Sequence, residues 1–354
     1  SAAAPLGGVH RLAVVVRDDP SLAADFVAKW NSAAASLETA GLPINSMDDY
    51  LLAIWSSKHG YSTKRRLATT VLHALHSKKE DPASIVADVD SYVKSYIAVR
   101  KPSGTGNLAE DLKDLNRLSF SQANGFLTMI HRHANTHFPE AVTLALALQI
   151  RNITIGKIGP NEYQADWPKW AGLVRKGEYK QAFTEIRNRM ISNEDFKEAF
   201  SKATIESAGV ARHILRRLDP VTVSSSGIVP TDVDREHILP TSVVSKLRWK
   251  KTLTNNAKKW ISELGFDIPA TPEDGEKLGK KLTPYLHMIG NQALLHQHPN
   301  RQGKDEAFAV KKTGYQDQGL ILTKELSHET KWDLTRIEAR QSEMAAHAVK
   351  VWRK

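Results

Sequence analysis

The sequence contains no cysteine. That absence excludes a disulfide framework, thiolate zinc or iron–sulfur sites, and a cysteine nucleophile. It fits a reducing compartment, and a cytoplasmic location is expected. Long apolar runs are missing too. The longest apolar-leaning stretch, residues 141–150, is too short to span a bilayer, so no membrane partner is expected. Residues 5–16 are interrupted by Gly7, Gly8, His10 and Arg11 and do not form a secretory signal. What is present is a 354-residue chain with 49 Lys and Arg against 39 Asp and Glu, a formal charge of +10. A hydrophobic fraction of 41% supports buried cores, and the length suggests two domains. The positive surplus is compatible with a polyanionic partner, and equally with a solubility effect.

The charge is unevenly spread. Residues 1–220 carry 28 basic against 23 acidic side chains and residues 221–354 carry 21 against 16, so each part nets +5 on very different lengths. Lys246, Arg248, Lys250, Lys251, Lys258 and Lys259 fall within residues 241–260, which hold no acid. Such a run is ordinarily a solvated helix face; beside a candidate active site it becomes a nucleic-acid contact.

Residues 1–220 read as a helical domain. Asp18-Asp19-Pro20-Ser21 is a start signal followed by Leu22, Phe26, Val27 and Trp30 at helical spacing. A second helix starts at Ser46 and stops near Gly60. Further helices are expected over about 63–77, 82–100, 121–135, 139–155, 167–176, 179–191 and 204–218. No fixed repeat argues for a solenoid, so an irregular helical bundle is expected. Residues 221–230 (VTVSSSGIVP) read as a linker, which places the second domain at 221–354. There, short strands are expected at 236–239 and 293–296, and a periodic helix over 329–352 that buries Trp332 and Trp352. His131, His133 and His137 are close in sequence, but their spacing does not converge them on one helix face, so a solvated helix end is the better reading.

The chemistry concentrates in 232–240, Asp-Val-Asp-Arg-Glu-His-Ile-Leu-Pro. An acid directly before a histidine on a strand points to the opposite face, so a shared target needs a strand end, which Pro240 supplies. Downstream stand Gly290-Asn291, a tight-turn signal in which Asn291 braces the backbone or a side chain, then Asn300, and then Phe308 and Lys311. Asn291 and Asn300 could each be simple turn or loop residues, and Asp234 is an alternative to Glu236 as a carboxylate ligand.

The ordered set Glu236-His237-Ile238-x-Pro240, Ile289-Gly290-Asn291-x-x-Leu294-Leu295, Asn300, Phe308-x-x-Lys311, Trp332, Ile337-x-x-Arg340 and Trp352 resembles the C-terminal HNH nuclease domain of GmrSD-like, modification-dependent (type IV) restriction endonucleases. The likeness spans about 228–354, and the helical part resembles, more loosely, the region joining that domain to a ParB-like nucleotide-binding domain in the same proteins. That ParB-like domain is absent from this sequence. A start at Ser-Ala-Ala-Ala leads us to expect a C-terminal fragment.

The resemblance implies a mainly α chain: a helical domain followed by an α+β HNH (ββα-metal) domain with a helical insertion, because more than 50 residues separate His237 from Asn291. It implies a metal-dependent DNA endonuclease or nickase that restricts foreign DNA. His237 would activate water, with Asn291 and Lys311 assisting. Glu236 and Asn300 would hold one Mg²⁺ or Mn²⁺, whose hard-oxygen preference suits them. Lys311 would contact phosphate, and Arg340 would either contact phosphate or staple the fold. DNA is the expected partner, RNA a weaker one. The competing reading is a nucleic-acid-binding regulatory module with a degenerate site.

Overall fold

A computed structural model describes residues 19–43, 45–77, 79–104, 106–118, 120–220, 233–296, 305–316 and 319–354. The chain is mainly α, and its described residues contain a single two-stranded sheet. Among the described residues no helix is long and apolar enough to cross a membrane. The chain divides into two compact units, Ser1–Met190 and Ile191–Lys354. The division therefore lies earlier than the expected boundary at 220. Helices Asn193–Lys202 and Ala208–Leu218 belong to the second unit, where Phe196 and Phe200 pack on Trp352. Residues 221–230, read from sequence as a linker, lie outside the described residues.

In the first unit the start signals act as expected. The Asp19 carboxylate accepts from the backbone N–H groups of Ser21 and Leu22 at 3.0 Å, with Pro20 opening helix Pro20–Thr39. Asp81 and Pro82 repeat the device at the next such start. The apolar stretch near residue 145 forms helix Phe138–Leu148, buried on nearly all sides, as a helix without a polar face must be. It continues into a π-helical segment, Gln149–Ile155, where Asn152 is fully buried and donates to Tyr163 Oη and to the Arg189 carbonyl, each at 2.7 Å.

Two expectations for this unit change. The single helix expected over 82–100 is two, Pro82–Ser91 and Val93–Arg100, separated at Tyr92. No Gly or Pro marks that break. The Tyr92 ring meets the Arg175 guanidinium at 5.3 Å and His133 at 5.7 Å, contacts that only the folded unit supplies. Helix Asn107–Arg117 lies where none was expected, because its sequence is mostly polar and buries little beyond Ala109, Leu112 and Leu115 among apolar residues. The three histidines find separate partners: His131 meets Ser95 Oγ at 3.0 Å, His133 meets Tyr92 Oη at 3.3 Å, and His137 lies 3.8 Å from Glu140.

The second unit is built around strands β1 (Val233–His237) and β2 (Gln292–His296). They pair antiparallel, with Val233 opposite His296 and His237 opposite Gln292. Between them run helices Thr241–Arg248, Asn255–Glu263 and Pro272–His287. The long separation of the motifs is thus a helical excursion that leaves the strands paired. Ile238, Leu239, Val244, Leu247, Trp260, Leu282 and Leu286 join Phe308, Trp332 and Ile337 in one core. Phe308 stacks on Trp332 at 5.4 Å. Gly279 lets the long helix lie directly against its neighbour: a Cβ there would stand 2.8 Å from the backbone nitrogen of Arg248. The last helix, Leu334–Val351, is capped by Asp333 and ends on the buried Trp352.

Candidate active site

β1 ends two residues earlier than the sequence suggested, at His237 rather than 239. The reason is Asn291. Its backbone carbonyl accepts from Ile238 N–H at 2.9 Å, and its Oδ1 accepts from Leu239 N–H at 2.8 Å and from Trp332 Nε1–H at 3.1 Å. Its amide group donates to the Leu286 carbonyl at 3.2 Å. A fully buried amide with these partners takes over the polar groups the ladder leaves at its end. Asn291 therefore braces the chain leaving β1 and touches the backbone beyond His237, not its ring.

Gly290 needs no left-handed backbone. A Cβ at this position would lie 2.4 Å from the Ile337 carbonyl and 2.9 Å from the Gln341 nitrogen, so close approach to the last helix is what demands glycine. Gln341, which the sequence did not flag, accepts from Gly290 N–H at 2.6 Å and donates to the Phe200 carbonyl at 2.6 Å. Arg340 is buried, and donates from Nη1 to the carbonyls of Gly290 and Gln292, each at 2.8 Å. Of its two expected roles the geometry matches the staple, and phosphate contact is corrected: the guanidinium is consumed by backbone carbonyls at the entrance to β2. Burial pushes it down to about 10, which leaves it charged at neutral pH.

His237 is the partly buried residue at the strand end. Its Nε2 is buried and has no hydrogen-bond partner among the described residues, and its ring lies 5.9 Å from that of His287, edge to face. Burial, reinforced by Arg235, His287 and Lys311, pushes the imidazole down to about 3. The ring is neutral at neutral pH, which is the form a proton acceptor needs. His287 was not singled out from sequence, where it is one residue in Leu286-His287-Met288. Its Nδ1 also lacks a partner among the described residues, and burial holds the ring below the usual histidine value.

Glu236 points away from this pair, as alternation on a strand requires. Its carboxylate is buried in an ion pair with the Lys311 ammonium. Lys311 also donates to the carbonyls of His237 at 2.9 Å and Ile238 at 3.1 Å. Burial lowers its pKa, and Glu236 opposes that shift. The expected phosphate contact at Lys311 is therefore a correction as well: its nitrogen is enclosed and saturated. Asp234, the alternative carboxylate, is half-exposed and pairs with Arg212 at 3.0 Å. Asn300 lies outside the described residues. Among the described residues no group of three or more His, Asp or Glu is arranged to hold a metal. Glu236 is the hard-oxygen donor they offer, and it already faces a cation.

The basic run is split in its environment. Lys250 pairs with Glu273 at 2.9 Å, and Lys246 donates to Thr254 Oγ1 at 3.2 Å. Arg248, Lys251, Lys258 and Lys259 are exposed, and Trp249 beside them is 69% exposed.

A two-stranded antiparallel sheet whose crossover is a helical excursion, with two neighbouring histidine rings at the strand end and a buried Asn brace behind them, defines a small α-dominated domain. Residues 190–347 match the family model of the C-terminal domain of GmrSD restriction endonucleases. That stretch covers nearly the whole second unit. No curated protein matches the chain.

Proposed function

We propose that the second unit is a restriction endonuclease or nickase that hydrolyses phosphodiester bonds in foreign DNA, with His237 taking the proton from the attacking water. The observation that carries this reading is the His237 ring: neutral, with an unpartnered Nε2, at the end of β1 inside a restriction-endonuclease domain. Asn291 fixes the backbone that carries the ring, and Lys311 fixes the same turn through the His237 and Ile238 carbonyls. A divalent cation, Mg²⁺ or Mn²⁺, would use Glu236 and Asn300 as oxygen donors and would supply charge stabilisation at the phosphate. Arg248, Lys251, Lys258 and Lys259 supply an exposed cationic face for the DNA backbone.

One observation favours a second reading, a DNA-binding module with a degenerate site. The Glu236 carboxylate is tied to Lys311, and the described residues assemble no metal cluster. Relaxation of supercoiled plasmid in Mg²⁺ or Mn²⁺ separates the two. Cleavage by the wild type that is lost in His237→Ala, with DNA binding retained, supports the endonuclease. Supercoiled plasmid persisting under both metals sinks it, and equal cleavage by both proteins removes His237 as the base. An RNA substrate run in parallel tests the sugar preference.

A further inference from the structure

Helix Thr241–Arg248 ends in a tightly bonded turn that carries an exposed tryptophan. Trp249 N–H donates to the Ser245 carbonyl at 3.0 Å, Lys250 N–H to the Leu247 carbonyl at 3.3 Å, and Lys251 N–H to the Lys246 carbonyl at 2.9 Å. The last two bonds are the pair that closes a helix through one left-handed residue, and Lys250 holds that conformation, with φ 52°. Glycine adopts it without strain, yet a lysine stands here. Its ammonium pairs with Glu273 at 2.9 Å and Glu276 at 3.5 Å on helix Pro272–His287. The backbone that carries Trp249 is thus held by hydrogen bonds and by an ion pair to a neighbouring helix. At 69% exposure, Trp249 is the most exposed of the large apolar side chains among the described residues. The Arg248 guanidinium lies 6.0 Å from its ring centroid.

The surroundings of the ring select its occupant. An apolar protein partner needs a wide apolar patch, and the exposed neighbours in the chain are Arg248, Lys250, Lys251 and Thr252. A lipid surface takes a helix whose apolar face is turned outward, and this helix buries Val243, Val244 and Leu247. An unpaired nucleobase suits both features at once. It stacks on an aromatic face whatever its identity, and the strand that carries it brings a phosphate on either side for nearby cations. Residues 241–260 contain no acid to oppose that strand. Glu273 and Glu276, which reach the turn from the neighbouring helix, are held by Lys250, so Arg248 and Lys251 are the cations left for phosphate.

We propose that Trp249 stacks on an unpaired base of a DNA strand while Arg248 and Lys251 hold the adjoining phosphates, so that this domain engages DNA whose bases are exposed. The stacking rests on the DNA binding proposed above and is independent of cleavage. The test is the fluorescence anisotropy of dye-labelled oligo(dT) and of a dye-labelled blunt duplex, each titrated with the full chain in EDTA. Trp249→Ala should bind oligo(dT) about tenfold more weakly than the wild type and the duplex within about twofold of it. Trp249→Phe keeps a ring and should recover most of the loss. The side chain is exposed, so both variants should unfold at the wild-type Tm. Binding of oligo(dT) should also quench tryptophan emission, less so in Trp249→Ala. Equal affinity of the wild type and Trp249→Ala for oligo(dT), an equal loss on both DNAs, or no recovery in Trp249→Phe overturns the stacking role and leaves the DNA-binding reading standing. A wild type that binds neither DNA overturns both. Cosedimentation with phosphatidylserine vesicles that is lost in Trp249→Ala and unaffected by oligo(dT) assigns the ring to a membrane and overturns the proposal.

Discussion

Gly290→Ala is a one-carbon change whose consequence follows from geometry alone. The added Cβ would stand 2.4 Å from the Ile337 carbonyl, 2.9 Å from the Gln341 nitrogen and 3.1 Å from Gln341 Cβ. The first two are backbone atoms of helix Leu334–Val351, so no side-chain rotation relieves the contact. The helix has to move away. Overpacking of this kind costs about 1–3 kcal/mol. The movement also lengthens the Gly290 N–H bond to Gln341 and the Arg340 bond to the Gly290 carbonyl, now 2.6 and 2.8 Å. Each is worth about 1 kcal/mol net, and the charged one somewhat more. The sum is about 3–5 kcal/mol. For a unit of this length each kcal/mol moves Tm by about 2–4 °C, so a drop of roughly 10 °C is expected. The assay is thermal unfolding by calorimetry, with Gly209→Ala as the control. Gly209 lies in the same unit, in helix Ala208–Leu218, and its Cβ would meet nothing closer than Ser207 Oγ at 4.0 Å. The control should be neutral or slightly stabilising. A Gly290→Ala transition within about 2 °C of the wild type would refute the argument that close approach, rather than turn conformation, demands this glycine.

Three further outcomes are expected. Asn291→Ala strips the acceptor from Leu239 N–H and Trp332 Nε1–H, leaving two buried donors unpaired at about 1–3 kcal/mol each, and urea unfolding should show the loss. A midpoint within error of the wild type contradicts the brace. The His131 pKa is lowered in the folded chain by burial, so the unfolded chain takes the proton first. Its contribution to stability is complete above about pH 6.5 and is lost as pH falls below that value. His131→Gln should therefore lose less stability than the wild type between pH 7 and 5, and parallel pH profiles would count against it. Replacing Lys251, Lys258 and Lys259 together by Ala should flatten the salt dependence of DNA binding by about 0.9 in log–log slope for each phosphate contact removed. An unchanged slope takes this face out of the DNA contact.

Legibility differed with the kind of signal. A helix start with a dedicated chemistry, Asp19-Pro20, was readable because the cap bonds are local. The break at Tyr92 was not, since it answers to Arg175 and His133 from elsewhere in the unit. Both strands were found near their true positions from short apolar runs. The end of β1 was misplaced because Asn291, more than 50 residues downstream, takes the hydrogen bonds that would have extended it. Arg340 and Lys311 show the same limit in the site. A basic residue near a catalytic motif suggests phosphate, and only burial shows that one ties Gly290 to Gln292 and the other neutralises Glu236.

What the sequence by itself determined is the mainly α class, through its helical period, and a likeness to the C-terminal domain of GmrSD restriction endonucleases, through the ordered run from Glu236 to Arg340, because periodicity and motif order are properties of the chain. Tertiary structure decided which polar groups face each other. It put His237 beside His287 and turned Glu236 onto Lys311. The physical reason is that burial and partner choice depend on neighbours distant in sequence, and those two quantities set the charge, direction and availability of every group that could react or bind.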